Sequence, residues 1–123
     1  MAQKILIVED DVSFLGLVSE FLQDCGYTVI EAEDGEKGYR CFVTERPDLV
    51  ITDQIMPHLS GIQLLGQIRS MDRRVPVILM TGYYLSKDEL WSLPFTPNEY
   101  IKKPFQLTAL QKIVQNLLPK PRF

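Results

Sequence analysis

Short apolar runs alternate with longer amphipathic segments along the whole chain. Three of the runs are almost continuously apolar and rich in β-branched residues: 5–8, 49–52 and 77–80. Such runs are typical of strands that are buried on both faces of a parallel sheet. Two shorter and more mixed runs, 28–31 and 100–102, fit edge strands. The pattern therefore predicts five strands.

The segments between the strands have the spacing of helices. Apolar residues recur every three or four positions over 12–25, and Gly26 is placed to end this first helix. Asp34 is placed to cap a second helix, which we expect to end near Glu45, before Pro47. The sequence thus predicts two helices before the third strand.

Three further helices are predicted. Ser60 and Gln63 match a capping box that opens a helix over 62–71, and Ser86 and Glu89 match another. The last helix has apolar residues at helical spacing and then a proline that stops it: Leu107, Leu110, Ile113, Val114, Leu117, Leu118 and Pro119. Five strands that alternate with five helices predict a three-layer, doubly wound α/β fold with right-handed crossovers.

The composition is that of a single globular domain. Of the 123 residues, 46% are hydrophobic and 24% are charged, which is enough for one core. We expect a single domain over 1–119, with 120–123 as a tail or the start of a linker. The net charge of −3 and the absence of a long basic run argue against direct binding of nucleic acid.

Sequence features bearing on location favour the cytoplasm. No apolar stretch reaches the ~18–20 residues of a membrane span, and residues 1–4 lack a signal-peptide pattern. Cys25 and Cys41 have no metal-type spacing, so we expect reduced thiols. The sequence therefore predicts a cytoplasmic protein with no membrane partner.

Polar residues lie at the carboxyl ends of four of the predicted strands. Glu9 and Asp10 follow the first strand, Asp53 the third, Thr81 the fourth and Lys103 the fifth. The carboxyl ends of parallel strands meet at one edge of the sheet, where open α/β sheets bind their ligands. Two carboxylates about 4 Å apart repel by roughly 4 kcal/mol at an effective dielectric of 20, so three of them need a cation. This set of groups suits a divalent cation and a phosphoryl group.

The segments that carry these residues resemble the response-regulator receiver domain, the phosphoacceptor module of two-component signalling. They are ILIVED, PDLVITDQIMP, SG, MTG and YIKKPF, and the resemblance covers essentially the whole chain. It implies a flavodoxin-like fold with strand order 2-1-3-4-5, which agrees with the two predicted edge strands. Two of the segments are similar to receivers attached to hybrid sensor kinases.

The resemblance also assigns roles at the acidic edge. Asp53 would accept the phosphoryl group, and an aspartyl phosphate is an established covalent intermediate. Glu9 and Asp10 would hold Mg²⁺ or Mn²⁺ together with Asp53 and the backbone carbonyl of Ile55. The phosphoryl donor would be a phosphohistidine on a histidine kinase or a phosphotransfer protein.

The remaining implied roles concern phosphoryl binding and switching. Thr81 would donate a hydrogen bond to a phosphoryl oxygen, and Lys103 would pair with the phosphoryl group or with Asp53. Thr81 and Tyr100 would form the switch that changes a partner-binding surface. The neighbouring Lys102 points to the other face of its strand and is expected to be solvated.

A phosphorylation-controlled binding module is the leading functional hypothesis. Such a module is a signalling phosphoacceptor that catalyses only its own phosphorylation and dephosphorylation. One alternative is a pseudo-receiver that binds partners constitutively. The other is a hydrolase of the haloacid-dehalogenase type, which typically has an Asp two residues after the nucleophile; Ile55 occupies that position here. The downstream effector or attached output domain is not identified by the sequence.

Several positions depart from the family pattern. Pro94 and Pro97 should shorten the fourth helix and so alter a face through which many receivers signal. Gln106 stands where an acidic helix cap is usual. Ile55 offers no polar group to orient an attacking water, and Tyr83 places a ring near the same approach. We therefore expect slow self-dephosphorylation.

The sequence gives less specific roles to the other polar and aromatic residues near these motifs. Asp11 is expected to cap the first helix rather than bind metal. His58, the only histidine, is expected to be an exposed loop residue. Tyr83, Tyr84 and Trp91 are open to two interpretations, a partner-binding patch or half-buried aromatic residues.

Overall fold

The computed structural model describes residues 2–82 and 94–119. Its elements, in chain order, are β1 (Lys4–Val8), α1 (Val12–Asp24), β2 (Thr28–Ala32), α2 (Gly35–Glu45), β3 (Leu49–Asp53), α3 (Gly61–Met71), β4 (Val77–Thr81), β5 (Glu99–Lys102) and α4 (Leu107–Leu117). All five predicted strands and four of the predicted helices are therefore present. The predicted helix with Ser86 and Glu89 at its start lies outside the described residues.

The five strands form one parallel sheet in the order β2-β1-β3-β4-β5. This order confirms the predicted topology and the positions of β2 and β5 at the edges. Every residue of β3 and β4 is buried, whereas the two edge strands carry exposed positions. The difference explains why the central strands are continuous apolar runs and the edge strands are mixed.

Two hydrophobic clusters lie on the two faces of the sheet. Ile5, Ile7 and Ile51 pack on one face with residues of α1 and α4. Leu6 and Val50, their neighbours along the same strands, pack on the other face with α2 and α3. Successive strand residues point to opposite faces, so a strand buried on both sides needs apolar residues at every position. Helices on both faces make the three-layer arrangement that the sequence predicts.

The helix ends follow local sequence signals. The Asp11 and Asp34 side chains accept hydrogen bonds from the backbone N–H groups of Phe14 and Lys37, at 3.2 and 2.8 Å. Ser60 and Gln63 form the predicted reciprocal capping box at the start of α3. The Gln106 side chain, which stands where an acidic cap is usual, makes no capping hydrogen bond at the start of α4.

The Pro94–Asn98 segment leads into β5 without helical structure. Its last residue, Asn98, ties it to the core, because the side-chain oxygen accepts from Arg69 Nη2 at 3.0 Å and from the Val77 N–H at 2.9 Å. None of the helices in the described part of the chain is long and apolar enough to cross a membrane.

Candidate functional site

The predicted site residues come together where the sheet ends. Asp53 and Thr81 are the last residues of β3 and β4, Glu9 follows β1, and Lys103 follows β5. The backbone hydrogen bonds continue past the strands, from Glu9 N to Ala32 O at 3.0 Å and from Lys103 N to Thr81 O at 2.7 Å. The site residues are therefore held by the same ladder that forms the sheet.

Three carboxylates form a cluster at this edge. Glu9, Asp10 and Asp53 each place one carboxylate oxygen within 4.8 Å of the others. Glu9 is fully buried, Asp53 is 9% exposed and Asp10 is exposed. Hard oxygen donors at this separation, open to solvent on the Asp10 side, are the ligand set that Mg²⁺ prefers. The donor chemistry of the cluster therefore fits the predicted metal.

Lys103 places one positive charge inside this cluster. Its Nζ lies 2.5 Å from Glu9 Oε1 and 3.3 Å from Asp53 Oδ2. It also lies 4.7 Å from the centroid of the Phe14 ring, which packs edge-on against Phe105 at a centroid distance of 5.7 Å. The aromatic pair limits solvent on one side of the ammonium and strengthens its interactions with the two carboxylates.

The close packing of these charges changes their protonation. Burial, followed by the hydrogen bond and negative charge of Asp53, raises the pKa of Glu9 to about 7 despite the opposing effect of Lys103. Burial acts to lower the pKa of Lys103, but the hydrogen bond that its ammonium donates to Glu9 and the charge of Asp53 raise the pKa above its ordinary value. The raised pKa of Lys103 therefore keeps it a cation, whereas the raised pKa of Glu9 favours the protonated form of its carboxyl group.

The Asp53 carboxylate is oriented by the chain around it. Its Oδ1 accepts from the Gln54 N–H at 2.8 Å, while Oδ2 faces Lys103. The start of α3 then passes close to the Asp53 backbone: a Cβ at Gly61 would overlap the Asp53 carbonyl oxygen and lie 2.8 Å from Leu79 Cδ1. Gly61 is thus required by close approach.

Gln54 is a supporting residue that the sequence interpretation missed. Its side-chain oxygen accepts from the Ile62 N–H at 2.9 Å, and its backbone oxygen accepts from the Gly61 N–H at 3.0 Å. Both contacts tie the residue after Asp53 to the first turn of α3 and satisfy free N–H groups there. Its position next to Asp53, in a loop that leads to a helix start, was the available signal.

The other predicted residues are placed as follows. Thr81 is almost fully buried at the end of β4. Tyr100 is half-buried, burial raises the pKa of its hydroxyl, and that hydroxyl has no hydrogen-bond partner in the described part of the chain. The Ile55 side chain is 65% exposed, and the side chain of Lys102 is exposed as predicted.

His58 is exposed, as predicted, and its backbone has a φ of 70° in the β3–α3 loop. The expectations for Tyr83, Tyr84 and Trp91 concern residues outside the described part of the chain.

Comparison with known proteins establishes the family. The family model of the response regulator receiver domain matches residues 5–115, nearly the whole chain. The chain belongs to this receiver family. Receiver domains are signalling phosphoacceptors rather than enzymes in the usual sense, and they bind Mg²⁺ in an acidic site.

Relatives and solved structures agree with this assignment. The chain is 33% identical over 118 residues to the alkaline phosphatase synthesis transcriptional regulatory protein PhoP of Bacillus subtilis, covering 96% of this chain and 49% of that protein. It thus spans about half the length of this relative.

Two solved structures have the same fold. The chemotaxis response regulator CheY4 of Vibrio cholerae matches with a TM-score of 0.85 and 30% identity, covering 96% of this chain and 100% of that chain. The receiver domain of a sensor histidine kinase from Pseudomonas aeruginosa PAO1 matches with a TM-score of 0.84 and 31% identity, covering 95% and 98%. That second structure holds a magnesium ion coordinated in its active-site cleft.

Proposed function

We propose that Asp53 accepts a phosphoryl group from a phosphohistidine of a histidine kinase or phosphotransfer protein, in a two-component phosphorelay. The observation that carries this proposal is the meeting of the Asp53 carboxylate with two further carboxylates and the Lys103 ammonium at one sheet edge. In the transfer, an Asp53 oxygen forms a bond to phosphorus while the bond from phosphorus to the donor imidazole breaks. The reaction needs accurate positioning and neutralisation of charge more than acid–base chemistry.

Each residue at the edge then has a defined part. Glu9, Asp10, Asp53 and the backbone carbonyl of Ile55 would hold Mg²⁺ or Mn²⁺, and a bound cation supplies charge neutralisation for the carboxylates and the phosphoryl oxygens. Lys103 would move its ammonium from Asp53 Oδ2 toward the new phosphoryl oxygens. The bond from Gln54 N–H to Asp53 Oδ1 holds the carboxylate in one orientation before transfer.

The switch would start at Thr81 and end at Tyr100. Thr81 lies on β4 next to β5, where Lys102 is its pairing partner and Tyr100 is two residues earlier. A phosphoryl oxygen that accepts from the Thr81 hydroxyl would shift this side chain, and the Tyr100 ring would follow. The Tyr100 hydroxyl has no hydrogen-bond partner among the described residues, so little polar interaction holds the ring in its present position. A gap of a few kcal/mol between the two states is enough for such a switch.

Phosphorylation would control binding to a downstream protein or an attached output domain. We propose a receiver domain over residues 1–119, with 120–123 as a tail or the start of a linker, acting in the cytoplasm. The hydrolase alternative needs an acid or base two residues after Asp53, and Ile55 has no titratable group there. The proposal of a constitutive pseudo-receiver is separated from ours by the experiment below.

Phosphorylation by a small donor tests the proposed function. Incubation with acetyl phosphate and Mg²⁺ is expected to add one phosphoryl group to the intact chain, as measured by mass spectrometry. The increment is expected to be lost on chelation of Mg²⁺ and in Asp53→Asn. The matched control Asp48→Asn changes an exposed carboxylate at the other end of the same strand and is expected to be phosphorylated normally. A pseudo-receiver would show no increment in the unaltered chain either with this donor or with a phosphorylated histidine phosphotransfer domain.

The phosphorylated state is expected to be long-lived. The Ile55 side chain is 65% exposed beside the site and carries no group that could orient an attacking water. Ile55→Asn is therefore expected to shorten the half-life of the phosphorylated protein by about tenfold, less than the ~10²-fold lower end for a positioned acid–base group, because an amide orients water without taking up its proton. Equal half-lives for Ile55→Asn and the conservative variant Ile55→Val would contradict this proposal.

A further inference from the structure

A second cleft lies at the amino-terminal ends of the strands, opposite to the ends where Asp53 lies. It occupies about 400 Å³ beside the segments that lead into β4 and β5, and the described residues that line it are Arg69, Arg73, Pro94, Phe95 and Thr96. Its volume lies within the range of small-molecule sites, about 300–1,000 Å³. Nothing in the phosphoryl-transfer chemistry uses these residues.

Arg69 brings a buried positive charge to this cleft. The residue is 9% exposed, and its guanidinium donates to the backbone oxygen of Val75 at 2.7 Å and to the side-chain oxygen of Asn98 at 3.0 Å. These acceptors are neutral, and no carboxylate of the described residues lies within 4.0 Å of its nitrogens. Burial lowers the pKa of Arg69. A buried cation without a paired anion is unfavourable, so an anion in the cleft would be stabilising.

Asp72, the acidic residue whose charge acts on Arg69, is already engaged by the backbone. Asp72 follows α3, and its Oδ1 accepts from the N–H groups of Arg74 at 2.7 Å and Val75 at 3.1 Å. The negative charge of Asp72 does act on Arg69, but its carboxylate oxygen accepts these two backbone hydrogen bonds and forms no ion pair with Arg69. Arg73, which is exposed, adds a second guanidinium to the cleft. Among the described residues that line the cleft, the charged ones are thus both arginines.

An aromatic ring stands next to the two guanidinium groups. Phe95 is 38% exposed, and a Cβ added at Gly66 on α3 would lie 3.9 Å from its Cδ2. An exposed ring beside arginines offers stacking for a planar ring and paired N–H donors for a phosphate.

We propose that this cleft binds a small phosphate-bearing ligand with a planar aromatic ring, of the nucleoside monophosphate class. Arg69 and Arg73 would hold the phosphate, and Phe95 would stack on the ring. The proposal is independent of the phosphoacceptor chemistry, because the cleft shares no residue with the acidic edge.

Titration of the full 123-residue chain with AMP tests this proposal. Two-dimensional amide NMR spectra are recorded with EDTA present, so that nucleotide cannot bind through a metal at Asp53. We expect saturable shifts confined to residues near 66–76 and 94–98. Inorganic phosphate alone and adenosine alone are each expected to bind at least about tenfold more weakly than AMP. Phosphate has no ring to stack on Phe95, and adenosine has no phosphate for the arginines to hold.

Two variants and a matched control make the test specific. Arg73→Gln and Phe95→Ala are each expected to weaken AMP binding by about tenfold, the effect of one charge-assisted hydrogen bond or one stacked ring. Arg74→Gln removes the same charge from the next residue, which does not line the cleft, and is expected to change binding by less than about twofold. Arg69 is left unaltered because it holds Val75 and Asn98 in place.

Three results would overturn the proposal. The first is a dissociation constant for AMP weaker than about 5 mM, which is a negligible affinity. The second is equal binding of inorganic phosphate and AMP, which would mean a simple anion site. The third is equal weakening by Arg73→Gln and Arg74→Gln, which would mean non-specific charge attraction. Asp53→Asn should bind AMP like the unaltered chain, so failure of the phosphoacceptor proposal is distinguishable from failure here.

Discussion

The excess of negative charge at the acidic edge acts on the protonation of Glu9. Lys103 contributes one positive charge to a cluster of three carboxylates, and its ammonium contacts two of them. Because Glu9 is fully buried, it has the least water to stabilise its charge, and its pKa rises to about 7. The metal-free protein therefore carries a group whose protonation is linked to folding.

The stability of the metal-free protein is expected to fall as the pH rises. The pKa of Glu9 is about 7 in the folded protein, against an ordinary value of 4.5, so the folded state binds more protons between these pH values. Its contribution is fully present below about pH 4.5 and is lost as the pH rises through about 7, for a total on the order of 3 kcal/mol. Urea unfolding in EDTA at pH 5 and pH 8 measures the difference.

Two variants isolate the Glu9 contribution. Glu9→Gln cannot titrate and is expected to lose most of the pH dependence, whereas Asp10→Asn makes the matched change at an exposed neighbour and is expected to keep most of it. If Glu9→Gln retained the slope of the unaltered protein, another group would be responsible.

At the residue scale, the sequence predicts which groups meet but not how they interact. Glu9, Asp53 and Lys103 follow separate strands, and parallel pairing alone brings them to one edge. The resemblance implies the contact of Lys103 with Asp53, but its contact with Glu9 depends on side-chain packing across distant segments. The same is true of the Tyr100 hydroxyl, which has no hydrogen-bond partner among the described residues. No local pattern encodes such contacts.

The start of α3 is the element that fixes the position of Asp53. Gly61 lets the first turn of α3 approach the Asp53 backbone. Gln54 holds this turn by accepting hydrogen bonds from the N–H groups of Gly61 and Ile62. The Ser60 cap was predictable because it spans three residues, whereas the contact from Gln54 to Ile62 spans eight and needs the loop to fold back. Element starts are thus better predicted than the contacts between elements.

Two alanine substitutions in α3 test this close approach. Gly61→Ala is expected to lower the free energy of unfolding by about 2–3 kcal/mol, because the new methyl group overlaps the Asp53 backbone. Gly66→Ala is the matched control: among the described residues its methyl group meets only Phe95, at an ordinary 3.9 Å, and better helix propensity is expected to add about 0.5–1 kcal/mol. Both free energies are measured by urea unfolding.

Gly61→Ala should also slow phosphorylation by acetyl phosphate, since it displaces Asp53. Equal stability changes for the two variants would show that α3 does not constrain the Asp53 backbone.

At the scale of the molecule, the parallel sheet separates two charged regions. Glu9, Asp10 and Asp53 lie at the carboxyl ends of the strands. Arg69 and Arg73 precede β4 in the chain and line the cleft at the opposite ends of the strands. The two buried faces followed from the alternation of apolar runs and helices, whereas the strand order was implied by the resemblance to receiver domains. The basic cleft followed from neither, because it depends on how residues 94–98 pack against α3, and the prolines there predict only the absence of helix.

The position of the acyl phosphate tests the central claim most directly. The protein is incubated with acetyl phosphate and Mg²⁺ and then treated with sodium borohydride, which reduces an aspartyl phosphate to homoserine. Peptide mass spectrometry then identifies the converted residue. Conversion is expected at Asp53 alone, with Glu9 and Asp10 unchanged and with no conversion when Mg²⁺ is chelated. Conversion at Asp10 or at any other carboxylate, with Asp53 intact, would contradict the assignment of Asp53 as the phosphoacceptor.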